Sequence, residues 1–358
     1  MLGSTCESGR LRHLHTMRLG PVRLTARARI REPAIQLGLP IEAVGRELPV
    51  LDERARGTRF LSLPVRRVLN PPTSTHMGFW SINPYVGCEF GCSYCYARRT
   101  HEWTLQRTTG GPGIEPPHQS FERNILVKHA APEVLLRTLE PGKLGTTPLV
   151  IGTATDPYQP AEKKFGLTRR LLQALLHHRG LHIGIITKSP LVIRDLDVLR
   201  EVASRHRLSV NISIGSMDPE MLRCLEARTP APHARMRALK RLIDGGIDAG
   251  VLIAPILPGI TDGWAQLAEL MEAAKEAGAH WVAGQALRLG PAARAGFLPL
   301  LREKFPALVD RYEKGYGNNQ HAGMHYEQAL VKRLDSLKEA FGFPPKRMYS
   351  DGPRAALP

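Results

Sequence analysis

Cysteine is scarce, five residues in 358. Two of them, Cys6 and Cys224, lie far apart, so nothing suggests the disulfide framework of a secreted protein, and a reducing cytoplasm fits. Long apolar runs are lacking too. None approaches the roughly 18 to 20 residues needed to cross a bilayer, and the N-terminus has no hydrophobic signal core, so a soluble chain without a membrane partner is expected. Acids are outnumbered, 33 against 49 lysines and arginines, for a formal net charge of +16. That excess suits a polyanionic partner such as a nucleic acid, because clustered cations release counterions from a phosphate backbone. Scattered over helices, the same charge serves equally as a solvated face.

What the chain does have is a cluster of its few cysteines. Cys88, Cys92 and Cys95 stand in the run Asn83-Pro84-Tyr85-Val86-Gly87-Cys88-Glu89-Phe90-Gly91-Cys92-Ser93-Tyr94-Cys95-Tyr96. A four-residue step followed by a three-residue step lets one loop place three thiolates around one inorganic centre, whereas tetrahedral zinc pairs its ligands as C-x2-C and needs a fourth. Three thiolates can hold three irons of a cubane and leave the fourth open to a small molecule. The alternatives are a zinc knuckle and unconnected buried thiols.

Residues 1 to about 70 carry many arginines, no lysine and several prolines. With no sustained period they read as an irregular, solvated leader. Between Met17 and Ile30 the composition is superficially that of an organellar transit peptide; an unstructured extension, or a start at Met17, are the other readings. From about residue 79 strands alternate with helices. The expected strands are Phe79 to Tyr85, Pro148 to Thr153, Leu181 to Thr187, Leu208 to Ile214, Gly250 to Ala254 and Trp281 to Leu287. The expected helices include Ala131 to Glu140, Leu167 to Arg179, Val192 to His206, Ala234 to Asp244 and Trp264 to Glu276. Apolar strands between amphipathic helices imply a parallel sheet covered on one face by helices, and six such units make an incomplete barrel. Residues 71–290 would form this core. A helical extension, 291–358, would hold helices over Ala292 to Tyr312 and His325 to Phe341. The loop between them, Lys314 to Gly323, either closes the barrel mouth or simply turns the chain.

In such barrels chemistry gathers at the carboxyl ends of the strands, which makes the residues there candidates. Thr153, Thr155 and Asp156 follow the second strand and can offer hydroxyls and a carboxylate to an ammonium group, or merely cap the next helix. Lys188 follows the third strand and can neutralise a carboxylate. Ser213 ends the fourth and suits a ribose hydroxyl. Beyond it Glu226, Arg228 and Arg237 supply charge or form a surface network. Pro255 contributes an apolar wall suited to adenine. Cys224, beside Met221, Leu222 and Leu225, reads as a helix core position.

The C-x3-C-x2-C spacing, with Tyr94 just before the last cysteine, resembles the signature of the radical S-adenosylmethionine superfamily. The order of Cys88 to Tyr96, Thr155-Asp156-Pro157, Thr187-Lys188, Asn211-Ile212-Ser213, Glu226 with Arg228 and Arg237, and Ala254-Pro255-Ile256 is similar to that of spore photoproduct lyase and the wider DNA repair photolyase-like group. The resemblance covers about residues 80 to 290. It implies an α/β fold with a partial (β/α)6 barrel, and a [4Fe-4S] cluster on Cys88, Cys92 and Cys95. It also implies S-adenosylmethionine as cofactor, a reductant such as a flavodoxin or ferredoxin, and reductive formation of a 5′-deoxyadenosyl radical for hydrogen abstraction. By the same resemblance Lys188 would meet the methionine carboxylate and Ser213 the ribose. One departure bears on the reaction. The lyase uses a cysteine near its second-strand loop as hydrogen donor, and Ile151 to Pro160 holds none, so the lyase reaction by that route is doubtful. A radical enzyme acting on a protein or metabolite, and a non-catalytic metal protein that binds nucleic acid, are the competing classes.

Overall fold

The computed structural model describes residues 48–54, 57–75, 78–108 and 117–345. They fall in the second of two compact units, Ile35–Pro358. Residues 1–47, which include Cys6, the Met17 to Ile30 stretch and most of the expected leader, lie outside the described residues.

The strands are β1 Val50–Glu53, β2 Arg59–Ser62, β3 Leu69–Asn70, β4 Trp80–Ile82, β5 Tyr85–Val86, β6 Asn124–Val127, β7 Leu149–Ile151, β8 His182–Thr187, β9 Arg207–Ser213, β10 Ala249–Ile256 and β11 Val282–Ala286. Seven of them form one sheet in the order β11-β10-β9-β8-β7-β4-β3. All neighbours from β4 to β11 pair parallel, with Ser81 opposite Val150, Val150 opposite Gly184, Gly184 opposite Ser209 and Val251 opposite Val282. Only the short edge strand β3 runs antiparallel. Strand order thus follows chain order across six parallel units, the partial barrel expected from the repeat length. The cause is visible in burial. Leu149, Val150 and Ile151 are fully buried, as are Ile185, Val210, Val251 and Ile253, and strands apolar on both faces need cover on both faces. Helices Leu167–Leu175, Leu196–Arg205, Pro232–Asp244 and Trp264–Glu276 supply it on the outer face, each with its apolar stripe toward the sheet.

Several expectations change in detail. The strand foreseen over Phe79 to Tyr85 splits. Pro84 has no N–H to continue a ladder, and the Asn83 side chain turns aside to accept from Ala154 N at 2.7 Å. Its second half, β5, joins a separate four-stranded sheet in the order β1-β2-β6-β5. Residues 50–70 therefore contain strands where an irregular leader was expected. The helix foreseen over Val192 to His206 begins as a 3-10 turn, Pro190–Asp195. In it the buried Asp195 carboxylate meets Arg194 at 2.8 Å and Arg169 at 3.2 Å. The helix foreseen over Ala292 to Tyr312 breaks into Pro291–Lys304 and Val309–Tyr316. Pro306 forces Phe305 out of helical geometry, to φ −135 and ψ 52. Cys224 sits on helix Pro219–Leu225 but is only half-buried, not in the core.

The second sheet carries one costly group. Lys128, just past β6, is 2% exposed, no carboxylate among the described residues pairs with it, and burial alone pushes its ammonium down to about 8. A lysine whose folded pKa lies below its unfolded value destabilises the fold fully below that folded pKa. The cost fades as pH rises toward the unfolded value of about 10.4. Lys128→Met is therefore expected to gain about 1–3 kcal/mol in urea unfolding at pH 7, with the gain shrinking toward pH 10. An unchanged midpoint at pH 7 would contradict this.

Candidate active site

The cysteine loop begins as β5 leaves the second sheet and ends at helix Arg98–Thr108. Its path depends on close backbone approaches. Gly87 has φ +94, and a Cβ there would stand 2.9 Å from the Phe121 carbonyl oxygen. Gly91 has φ +67 and lies under the Arg228 and Glu122 side chains. The loop is anchored on several sides. Cys88 N donates to Phe121 O at 3.0 Å, and Ser93 N to Leu225 O at 3.0 Å. Arg98 Nη2 donates to Cys92 O at 2.9 Å and pairs with Glu122 at 2.5 Å, and Glu122 in turn binds Arg228. From the C-terminal side, helix Pro291–Lys304 comes so near at Gly296 that a Cβ would lie 2.6 Å from Ser93 O. Phe297, Leu301, Tyr312 and Tyr316 pack there with Phe90 and Tyr94 in one buried cluster. The loop from Lys314 to Gly323 does not line the barrel cavity. Tyr316 Oη donates to Leu287 O at 3.0 Å, and Leu289 N to Gln320 O at 2.8 Å, so it packs as a turn.

A cavity of ≈ 320 Å³ opens at the carboxyl ends of the parallel strands, within the range of small-molecule sites. Cys88, Cys92 and Cys95 line it, together with Tyr94, Thr153, Thr155, Asp156, Lys188, Ser213 and Pro255. Distant sequence positions thus meet in one space, because the strand ends of a parallel sheet all face one way. Leu252, Ala254 and Leu287 make its wall apolar.

Two of the candidates stand elsewhere. Glu226 lies outside the lining, fully buried. Its Oε1 accepts from Lys188 Nζ at 2.8 Å and from the Tyr94 hydroxyl. Its Oε2 meets Arg235 Nη2 at 2.5 Å and Thr229 Oγ1 at 2.8 Å. Burial would raise the Glu226 pKa, but the Lys188 and Arg235 charges, with hydrogen bonds from Lys188 and Tyr94, outweigh it and hold the carboxyl below the usual range. Arg237 is a correction. It is exposed on helix Pro232–Asp244, while Arg235 is the arginine that reaches the site. The buried stripe of that helix is Pro232, Arg235, Met236, Leu239 and Leu242. An arginine on an apolar stripe needs a carboxylate, and that signal was in the sequence.

Hydrogen bonding further defines the candidates. The Asp156 carboxylate accepts from Thr187 Oγ1 at 2.6 Å, Lys188 N at 2.7 Å and Tyr158 N at 2.9 Å, so it fixes the turn. Burial still pushes its pKa up against those bonds. Thr155 Oγ1 donates to Gly87 O at 2.7 Å and accepts from Gln159 Nε2 at 2.9 Å. Gln159 Oε1 accepts from Glu89 N at 2.9 Å, and so the second-strand loop braces the residues on either side of Cys88. Thr153 Oγ1 accepts from Asn83 Nδ2 at 3.1 Å. Lys188 Nζ also reaches Ser213 Oγ at 3.1 Å. Gly152, with φ +94, makes this loop possible, since a Cβ would lie 2.5 Å from Ile186 O. Gly152→Ala is expected to cost about 1–3 kcal/mol, read as a lowered melting temperature; an unchanged melting temperature would contradict the close approach.

The thiols fit a cluster by their chemistry. All three are free. Burial pushes each thiol up, with added repulsion at Cys88 from Asp156 and Cys92. Such donors ionise together only against a cationic centre. Among the described residues no trio of His, Cys, Asp or Glu converges as the ligands of one metal ion do. A cubane needs one thiolate at each of three separate irons, and three cysteines around one cavity fit that requirement.

Residues 82–277 match the sequence profile of the Radical SAM superfamily, and the chain belongs to that superfamily of enzymes. The family implies S-adenosylmethionine and a [4Fe-4S] cluster. Uncharacterized protein Rv2578c of Mycobacterium tuberculosis is 32% identical over 283 residues, 78% of this chain and 80% of that one. Uncharacterized protein MJ0683 of Methanocaldococcus jannaschii is 28% identical over 56% of this chain and 69% of its own length. Among solved structures, spore photoproduct lyase complexed with dinucleoside spore photoproduct aligns with a TM-score of 0.55 at 17% identity, covering 83% of this chain and 84% of the lyase. A lyase variant with bound AdoMet and dinucleoside spore photoproduct aligns at 0.56, with the same identity and coverage. At that identity the likeness concerns the fold. No helix among the described residues is long and apolar enough to cross a membrane.

Proposed function

We propose that the cavity holds a [4Fe-4S] cluster on Cys88, Cys92 and Cys95 beside S-adenosylmethionine, and that the enzyme abstracts hydrogen from a nucleic-acid substrate. The observation that carries the cofactor reading is the meeting, in one cavity, of those cysteines with Tyr94, Thr153, Lys188, Ser213 and Pro255. Bound there, the cluster would supply the electron for the reductive cleavage general to the superfamily, the source of a hydrogen-abstracting 5′-deoxyadenosyl radical.

The protein's own part is to bind and orient. Lys188 keeps its ammonium at the cavity wall, where a methionine carboxylate can share it with Glu226. Ser213 offers a hydroxyl to the ribose, and Ala254 and Pro255 a flat apolar surface to adenine. Leu252, Leu287 and Phe90 line the cavity with apolar surface that keeps out bulk solvent, and with it the dissolved oxygen and thiols that quench a carbon radical. The electron would come from a flavodoxin or ferredoxin. Among the described residues no thiol besides the three cluster ligands lines the cavity, so a fourth cysteine is not proposed as hydrogen donor. The net charge of +16 supports a nucleic-acid substrate.

Anaerobically reduced, reconstituted protein is expected to release 5′-deoxyadenosine from S-adenosylmethionine. Thymidine-containing oligonucleotides should raise that rate, and deuterated ones should pass label into the product. Stimulation by peptides or metabolite pools but not by oligonucleotides would overturn the substrate class and leave the cofactor reading standing.

A further inference from the structure

The mouth of the cavity carries a charge to which the cofactor gives no role. Building on the proposed function, we infer that Arg288, with Gln285 and the exposed face of Tyr96, forms a substrate subsite that takes a phosphate of single-stranded nucleic acid and stacks a neighbouring base.

The charged side chains lining the cavity are Asp156, Lys188 and Arg288. Asp156 already accepts from Thr187, Lys188 N and Tyr158 N, and Lys188 is ion-paired with Glu226. Arg288 differs. Among the described residues no carboxylate pairs with it, and the side chain that it meets, Gln285, is neutral. With its carboxamide oxygen toward the guanidinium, Gln285 accepts from Arg288 Nε at 3.1 Å and Nη2 at 3.2 Å. The amide orients the fork without cancelling its charge. A half-buried guanidinium so held is built for an oxyanion, which it can grip through two parallel N–H groups.

Its place in the fold points the same way. Arg288 lies two residues past β11, at one end of the sheet, while the cysteine loop follows β4 and β5 near the other end. Both ends line one cavity, so they flank the open side of the incomplete barrel. Arg288 and Tyr96 both line the cavity there, near enough for the Arg288 charge to act on the Tyr96 hydroxyl. Tyr96 is 45% exposed, and its hydroxyl is tied down to Thr153 O. An aromatic ring fixed by its polar end and nearly half exposed can serve as a stacking platform, and bases stack on such rings without regard to sequence. A phosphate fork beside a stacking ring suits a nucleotide strand better than an acidic peptide, which would use the fork and ignore the ring.

Anaerobically reconstituted full-length protein, titrated into a fluorescein-labelled thymidine decanucleotide and followed by anisotropy over a range of salt, tests this. Arg288→Gln is expected to weaken binding about tenfold and to lower the salt slope by about one phosphate contact, with Arg288→Lys recovering part of the loss. Tyr96→Ala should weaken binding with the slope unchanged, because stacking releases no counterion. Unchanged affinity and slope in Arg288→Gln would overturn the inference, as would an acidic peptide that competes equally well in wild type. Equilibrium dialysis of labelled S-adenosylmethionine separates the two readings. Failure of wild type to bind it sinks the cofactor assignment, whereas loss confined to Arg288→Gln would move Arg288 to the cofactor carboxylate and overturn the subsite.

Discussion

Glu226→Ala is expected to destabilise the protein by about 3–5 kcal/mol, because it strands buried cations. Glu226 and Arg235 are both fully buried, and the Lys188 side chain is 14% exposed. One carboxylate pairs with both cations, one on each oxygen, and without it each must stay unpaired or drag water inside. The folded pKa of Glu226 lies below the ordinary one, which sets the pH window. Its stabilisation is fully present above the unfolded value of about 4.3 and is lost only as pH falls through the lower folded value. Urea unfolding of wild type and Glu226→Ala should therefore differ most above pH 5 and converge in acid. The double variant Glu226→Gln, Arg235→Met should recover much of the loss, since it removes a charge together with its partner. A single variant within about 0.5 kcal/mol of wild type would contradict the network, since that is the scatter of ordinary surface changes.

Cys92→Ala is expected to lower reductive cleavage of S-adenosylmethionine by more than about a thousandfold, a loss of the whole catalytic step rather than of one binding contact. Deleting one small buried sulfur should cost only about 1 kcal/mol of folding stability, so the melting temperature of the protein prepared without cluster should fall little. Cys224→Ala is the control. That thiol is free, half-buried on helix Pro219–Leu225 and outside the cavity, and its loss should leave cleavage as it is. A Cys92→Ala variant that still releases 5′-deoxyadenosine at the wild-type rate would contradict the ligand assignment.

The parallel core was legible because its signal is local. Runs such as Gly250 to Ala254 and His182 to Thr187 are apolar without alternation, and the intervening helices repeat their apolar positions at helical spacing. Helix Trp264–Glu276 has the bounds expected for it. The rule that sites form at strand ends then placed Lys188, Ser213 and Pro255 in one cavity with the cysteines. What was not legible depends on pairing over distance. β5 and β6 are two and four residues long, too short to show a period, and they become strands only by meeting each other and β2. Arg235 was missed for a different reason. Its pairing with Glu226 follows from helix phase, which puts Arg237 on the solvent side. The roles of Thr155 and Gln159 as braces for the cysteine loop likewise require knowing that Gly87 O points at them.

We propose that Cys88, Cys92 and Cys95 hold three irons of a cubane whose fourth iron is open to S-adenosylmethionine. Low-temperature electron paramagnetic resonance of the anaerobically reduced protein, before and after adding S-adenosylmethionine, tests it most directly. Iron analysis of the same sample should give about four irons per chain, in keeping with a single cubane, and the reduced-cluster signal should shift its g-values when the cofactor is added. Zinc in place of iron, or a signal that S-adenosylmethionine leaves unmoved, would contradict it.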